Sequence, residues 1–239
     1  MLNYKENINI NYQDVDYSGT LKLSHLLDHF SNIATIHAIK IGVWSQDMVE
    51  HYGWILAKMH IEIKQPIKAG NYEIETCPGQ ASKVIFPRYY RVLQDNQCVV
   101  EASSIWTLLD LQKRRITMPS RAGIQFPEVK SLEHEVALPQ DLPTDIPYCF
   151  SMSRTVLYGD VDTNQHMNNA RYIEWACDLI DYDYFKDHFI DVIDIFFKHE
   201  IEPHSLVELY YYQEEDTFYI KGVCKNQVCF EMMMHGSTK

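Results

Sequence analysis

The chain has no Cys-x-x-Cys pair, although six cysteines occur in its 239 residues. Zinc ribbons and thioredoxin-type redox centres need that clustering, so neither is expected. Cys77, Cys98, Cys149, Cys177, Cys224 and Cys229 read instead as reduced, mostly buried thiols. No apolar run approaches the ~20 residues of a membrane-spanning helix. The opening residues Met1–Asn7 carry neither the apolar stretch nor the cleavage signal of a secretory leader, so the expectation is a soluble, cytoplasmic protein. Basic residues are also scarce: 21 Lys and Arg against 33 Asp and Glu give a formal charge of −12, which argues against a general nucleic-acid binder. Glycine and proline stand at only 9 each, while Tyr (16) and Phe (10) are plentiful, a balance that favours ordered, β-rich structure.

What the chain does have is concentrated in residues 158–175, Tyr-Gly-Asp-Val-Asp-Thr-Asn-Gln-His-Met-Asn-Asn-Ala-Arg-Tyr-Ile-Glu-Trp. Asp162, Asn164 and His166 alternate just ahead of an apolar-periodic segment. The pattern predicts a strand, a polar turn and a helix entered through Asn168 and Asn169, since an Asn oxygen accepts a first-turn N–H. A carboxylate, a carboxamide and an imidazole then gather at the positive end of a helix, where a developing oxyanion is favoured.

An altered copy of this stretch lies in the first half. Tyr12-Gln-Asp14-Val15-Asp16 matches Tyr158-Gly-Asp160-Val161-Asp162, 146 residues apart. Ser18 then stands where Asn164 stands, and Thr20 where His166 stands. The chain reads as two copies of one unit with reactive side chains kept only in the second. In the first copy a strand (about 7–13) and a helix (about 24–39) precede strands near 54–64, 72–81, 85–93 and 99–110. The stretch Gln94-Asp-Asn-Gln97 reads as a hairpin turn. The second copy repeats the order, with a strand at 149–158, a helix at 170–185 and strands near 192–201, 206–213, 217–224 and 227–235. Between them Pro119, Pro127, Pro139, Pro143 and Pro147 mark a crossover linker. The division is therefore 1–120, a linker at 121–148, and 149–239. The fold class is α+β, with two antiparallel sheets pairing edge to edge around their helices like a symmetric dimer in one chain.

Several residues have plain explanations. Leu23, Leu26, Leu27, Phe30, Ile33 and Ile36 fall on one face of the first helix and read as core. His25 and His29 share a helix face, but no third ligand is visible and a polar face accounts for them. No cofactor or metal is implied. Lys113-Arg114-Arg115 reads either as a solvated turn or as a dock for an acidic partner.

The sequence Asp162-Thr-Asn164-Gln-His166-Met-Asn168-Asn169-Ala-Arg-Tyr172-Ile-Glu-Trp175 resembles the signature of the acyl-acyl carrier protein thioesterases of plants and bacteria, which have a tandem hotdog fold. Gly53-Trp-Ile-Leu-Ala, Pro66-Ile-Lys-Ala-Gly70 and Ile105-Trp106-Thr107 resemble that family's first hotdog. The resemblance implies hydrolysis of fatty acyl-carrier-protein thioesters in the second hotdog, and a first hotdog that shapes the acyl pocket. It also implies a catalytic acid further along, and Glu200 in Phe197-Lys-His-Glu200-Ile201 matches it. The family's next residue, a cysteine, is Ile201 here, so the expected chemistry uses Asp162, Asn164, His166, Glu200 and water, not a thiolate. Asp162 either orients Asn164 and His166 or attacks the carbonyl itself. Asn168, Asn169, Phe30, Met59 and Ile61 are candidate substrate contacts, and Lys113, Arg114 and Arg115 a candidate carrier dock. An acyl-CoA thioesterase and a non-catalytic acyl-binding module stand as alternatives, and further pairing into a homodimer is left open.

Overall fold

A computed structural model describes residues 3–127, 129 and 136–239. Part of the expected linker, 128 and 130–135, lies outside the described residues, as do Met1 and Leu2. The first half supplies β1 (Tyr4–Ile10), α1 (Leu23–Lys40), β2 (Tyr52–Ile63), β3 (Gly70–Pro78), β4 (Phe86–Gln94), β5 (Gln97–Asp110) and the short β6 (Arg115–Thr117). The second supplies β7 (Cys149–Thr155), α2 (Asn169–Cys177), α3 (Tyr184–Asp187), β8 (His188–Phe197), β9 (Leu206–Glu214), β10 (Thr217–Cys224) and β11 (Gln227–Thr238). All strands belong to one antiparallel sheet in the order β1-β3-β4-β5-β2-β8-β11-β10-β9-β7, with β6 on β5. Read outward from the β2–β8 seam, the two halves have the same strand order, so the expected joining of two sheets edge to edge is what the structure shows.

Local chemistry explains the elements. Asp95 and Asn96 both adopt positive φ (49° and 64°), as a two-residue hairpin needs, and Lys225 and Asn226 (51° and 62°) repeat that turn between β10 and β11. Along α1, Leu26, Leu27, Phe30, Ile33 and Ala34 turn into the sheet and are buried, while Leu23 and Ile36 are only half-buried. Each fully buried aliphatic or aromatic side chain contributes about 1.5–3 kcal/mol, which holds the helix in the curve of the sheet. On β10, Phe218, Ile220, Gly222 and Cys224 face inward by strict alternation. Gly222 is required there: a Cβ would meet the Phe230 ring at 2.0 Å. Gly222→Ala is expected to cost about 1–3 kcal/mol by overpacking, read as a lowered urea midpoint.

Three expectations are corrected. The second helix stops at Cys177, not near 185. Its last turn tightens, with Leu179 N–H bonding Ala176 O and Ile180 N–H bonding Cys177 O, both at 3.1 Å, and Asp181 Oδ1 then takes Asp183 N–H at 2.7 Å in a local turn that competes with helix. β8 ends at Phe197, because Cys229 O receives both Lys198 N–H and His199 N–H, so Glu200 stands in a bend beyond the strand. β1 and β7 end early, at Ile10 and Thr155, as each chain turns through an aspartate that accepts a backbone N–H three residues before it.

The seam carries an ionisable clamp. His60 on β2 pairs directly opposite Asp194 on β8, with Nδ1 2.9 Å from Asp194 Oδ1 and Nε2 3.0 Å from Glu62 Oε1. Burial alone would lower the His60 value, but the two carboxylates outweigh it and hold it above the ordinary 6.5. A raised folded value stabilises fully below the unfolded one, and the contribution disappears as pH rises through the folded one. The wild type is therefore expected to lose stability above pH 6.5 in a step that His60→Gln lacks. That substitution should cost about 1–2 kcal/mol at pH 6 and far less at pH 9, by denaturant titration.

Candidate active site

The motif is a closed loop between β7 and α2. Val161 and Met167 form an isolated bridge, and Asp162 N–H donates to His166 O at 2.9 Å. Gln165 takes positive φ (64°) at the tip. Asp162 Oδ1 accepts Asn164 N–H at 2.8 Å, and the Asn164 amide reaches Asp162 Oδ2 at 3.4 Å. Both carboxylate oxygens thus hold Asn164. Asn168 caps α2 by accepting Ala170 N–H at 2.8 Å, as its position implies. That bond also uses one of the first-turn donors that could otherwise serve an oxyanion.

The loop is tied to the bend after β8 by Met167 N–H to Ile201 O, 2.9 Å. This bond brings Glu200 to His166 across a separation of 34 residues: Nε2 and Oε2 are 3.5 Å apart. Both side chains stay accessible to water, at 34% and 48% exposure. Ile201 is buried, so the position of the family's cysteine faces the core.

The first half rebuilds the same backbone without these groups. Val15 bridges Leu21, Asp16 N–H donates to Thr20 O (2.7 Å), Lys22 N–H to Asp14 O (3.0 Å) and Leu21 N–H to Ile67 O (2.7 Å). Each bond has its counterpart 146 residues on, or in the Ile201 bend. Thr20 occupies the place of His166 and Pro66 that of Glu200, so neither a proton acceptor nor its partner remains there.

Two thiols of the second half are held in the protonated form. Burial pushes the Cys177 thiol up to about 12, with Asp178 and Glu174 adding to it. Burial and Cys224 push Cys229 up to about 11. Cys177→Ala is expected to leave turnover unchanged in a thiol-release assay.

Sequence reasoning gave no role to Tyr172 or Trp175. Tyr172 on α2 is pinned edge-on by Phe197 (5.3 Å) and Phe230 (4.9 Å), and burial, with Cys229, Glu200 and Asp162 nearby, raises its hydroxyl, which stays a neutral donor. Trp175 Nε1–H donates to Asp160 Oδ1 at 3.3 Å and locks the helix onto the turn. Glu202, two residues beyond Glu200, is held below the usual carboxylate range chiefly by Lys225, with small contributions from the charges of His166 and Arg114. Within the basic turn of the first half Lys113 is paired with Asp110 at 3.1 Å. The position of these groups depends on long-range packing that spacing in the sequence does not encode.

Other candidates lie elsewhere. Phe30, Met59 and Ile61 are closed into the core, with Phe30 against Tyr90 at 4.7 Å. A cavity of about 460 Å³ is lined by Asp16, Ser18 and Thr20 of the first loop and does not reach Asp162, Asn164, His166 or Glu200. His25 turns to Asp14 at 3.3 Å. No described helix is long and apolar enough to cross a membrane.

Residues 1–120 match the acyl-ACP thioesterase N-terminal domain and residues 149–230 the C-terminal domain of the same family. The chain is similar to oleoyl-acyl carrier protein thioesterase 2, chloroplastic, of Arabidopsis thaliana, 25% identical over 86% of this chain and 61% of the relative. It therefore spans about three fifths of the length of that curated relative. In fold it is similar to an acyl-ACP thioesterase from Bacteroides thetaiotaomicron (TM-score 0.83, 19% identity, 98% of each chain). It is likewise similar to the 12:0-ACP thioesterase from Umbellularia californica (TM-score 0.84, 16% identity, 100% of this chain and 98% of that one). These neighbours share the whole architecture, the tandem hotdog. With both halves matched domain for domain, the chain belongs to the acyl-ACP thioesterase family.

Proposed function

We propose that the protein hydrolyses fatty-acyl thioesters borne on acyl carrier protein, releasing the free acid. The observation that carries this reading is the 3.5 Å approach of Glu200 to His166 beside an Asp162-oriented Asn164, on a loop whose twin has lost the imidazole and the acid. A carboxylate beside an imidazole is poised to take a proton from water near neutral pH. Water oxygen then bonds to the carbonyl carbon, the C–S bond breaks, and the abstracted proton returns to the departing sulfur. The products are one carboxylic acid and one thiol. Asn164 orients the carbonyl or the water through its amide. Asp162 acts as the orienting group, since both its oxygens are engaged by Asn164. Asn168 shapes the helix entrance by capping it, and Asn169 follows it as the first helical residue. An acyl chain entering the first hotdog would pass Phe30, Met59 and Ile61 only by opening their packing.

The substrate's carrier is the second part of the proposal. Acyl carrier proteins are acidic, and the Lys113–Arg115 turn offers them a basic dock despite the overall charge of −12. Arg114→Glu with Arg115→Glu is expected to raise KM for acyl-carrier-protein substrates several-fold at low salt, with little change for acyl-CoA. Equal effects on both substrates in a thiol-release assay would favour the acyl-CoA alternative.

A further inference from the structure

The cavity of about 460 Å³ falls within the range of small-molecule sites. It lies at the first, altered copy of the motif. One end is apolar, formed by Ile63, Ile67, Ile180, Phe185, Phe189 and Ile190.

The polar end is the start of α1. Lys22 gives no side-chain cap, and the first turn holds no acid, in contrast to the Asn168 cap of α2. The first-turn N–H groups of Leu23 and Ser24 lie outside the helix ladder. Ser24 is 3% exposed, lines the cavity, and its hydroxyl has no hydrogen-bond partner among the described residues. The acids at the cavity are already answered. Asp16 Oδ1 accepts Ser18 N–H (2.8 Å), Ser18 Oγ–H (2.8 Å) and Thr20 N–H (3.1 Å). Glu174 is paired with Arg171, and Asp178 with Arg154. Lys22 makes no ion pair among the described residues. His25 and His188 also border the cavity. The groups left to a ligand are therefore a helix N-terminus, the Ser24 hydroxyl at the cavity wall and a lysine, all of which suit an anion.

We infer that this cavity is a second, non-catalytic site for a single-chain carboxylic acid, with the carboxylate on Leu23 N–H, Ser24 and Lys22 and the chain among Ile180, Phe185, Phe189 and Ile190. The site stands apart from the hydrolase reading, since none of its residues belongs to the Asp162–His166 loop or the Glu200 bend.

Calorimetric titration of the full chain with sodium decanoate tests it. The expected result is saturable decanoate binding that persists in His166→Ala, with decanol about tenfold weaker because the helix end prefers a negative charge. Lys22→Asn should give α1 the cap that α2 has. The melting temperature then rises while decanoate affinity falls about tenfold, a pairing that misfolding cannot produce. Ser24→Ala should also weaken decanoate and leave decanol unchanged. His166→Ala should bind decanoate as wild type does, which separates this site from the proposed active site. Equal binding of decanol, unchanged affinity in Lys22→Asn, or loss of binding in His166→Ala would each overturn the inference.

Discussion

Glu200→Gln and His166→Ala are each expected to lower kcat for acyl-carrier-protein hydrolysis by about 10²–10⁴-fold, the range for removal of a positioned general base. KM should move little, because the carrier and the acyl chain are held elsewhere. The fold should not suffer. The pair is partly exposed at 3.5 Å, and ion pairs of that kind contribute ~0–1 kcal/mol, so thermal melts of both variants should overlay the wild type. The double variant should be scarcely slower than either single one, since two groups that act as a unit are not additive. Full turnover in both single variants would remove the proposed mechanism. Asp162→Asn sharpens the picture. It keeps the acceptor for Asn164 N–H and removes any nucleophile, so a retained kcat identifies Asp162 as a positioning residue.

Trp175→Ala should be the most damaging change to stability. The indole is fully buried, Arg154 stacks on it at 4.7 Å, and its N–H holds Asp160 at 3.3 Å. Loss of such a side chain costs about 3–5 kcal/mol, or about 10 °C in Tm for a domain of this size. Asp160 in turn accepts Leu157 N–H through Oδ2 and Asn168 N–H through its carbonyl, both at 2.8 Å, so the whole loop rests on this contact. Trp175→Phe isolates the hydrogen bond and should cost about 1 kcal/mol. Calorimetric Tm and kcat measured well below Tm should fall together in the Ala variant. A variant with intact kcat would show that the loop keeps its shape without the indole.

Much of this was legible in residue order. The repeat at 146 residues foretold two halves with one strand order, and the Asp95–Asn96 turn announced its hairpin by residue type alone. The Asn168 cap was visible because a capping side chain acts on its immediate neighbours. The end of α2 was not legible: apolar residues continue at helical spacing through Leu179 and Ile180, and only the competing turn at Asp181 and burial of Ile180 stop the helix. The bend at Glu200 was missed for a similar reason, because Cys229, on another strand, dictates it.

The sequence by itself determined which loop could carry acid–base chemistry, since the second keeps Asn164 and His166 where the first has Ser18 and Thr20. Local rules also determined the turns and the α2 cap, whose partners lie within a few residues. Only the tertiary structure decided that Glu200 meets His166 and that the open cavity lies at the other loop. The first depends on Met167 bonding Ile201 and the second on the two halves meeting at the β2–β8 seam, and both join residues far apart in the chain.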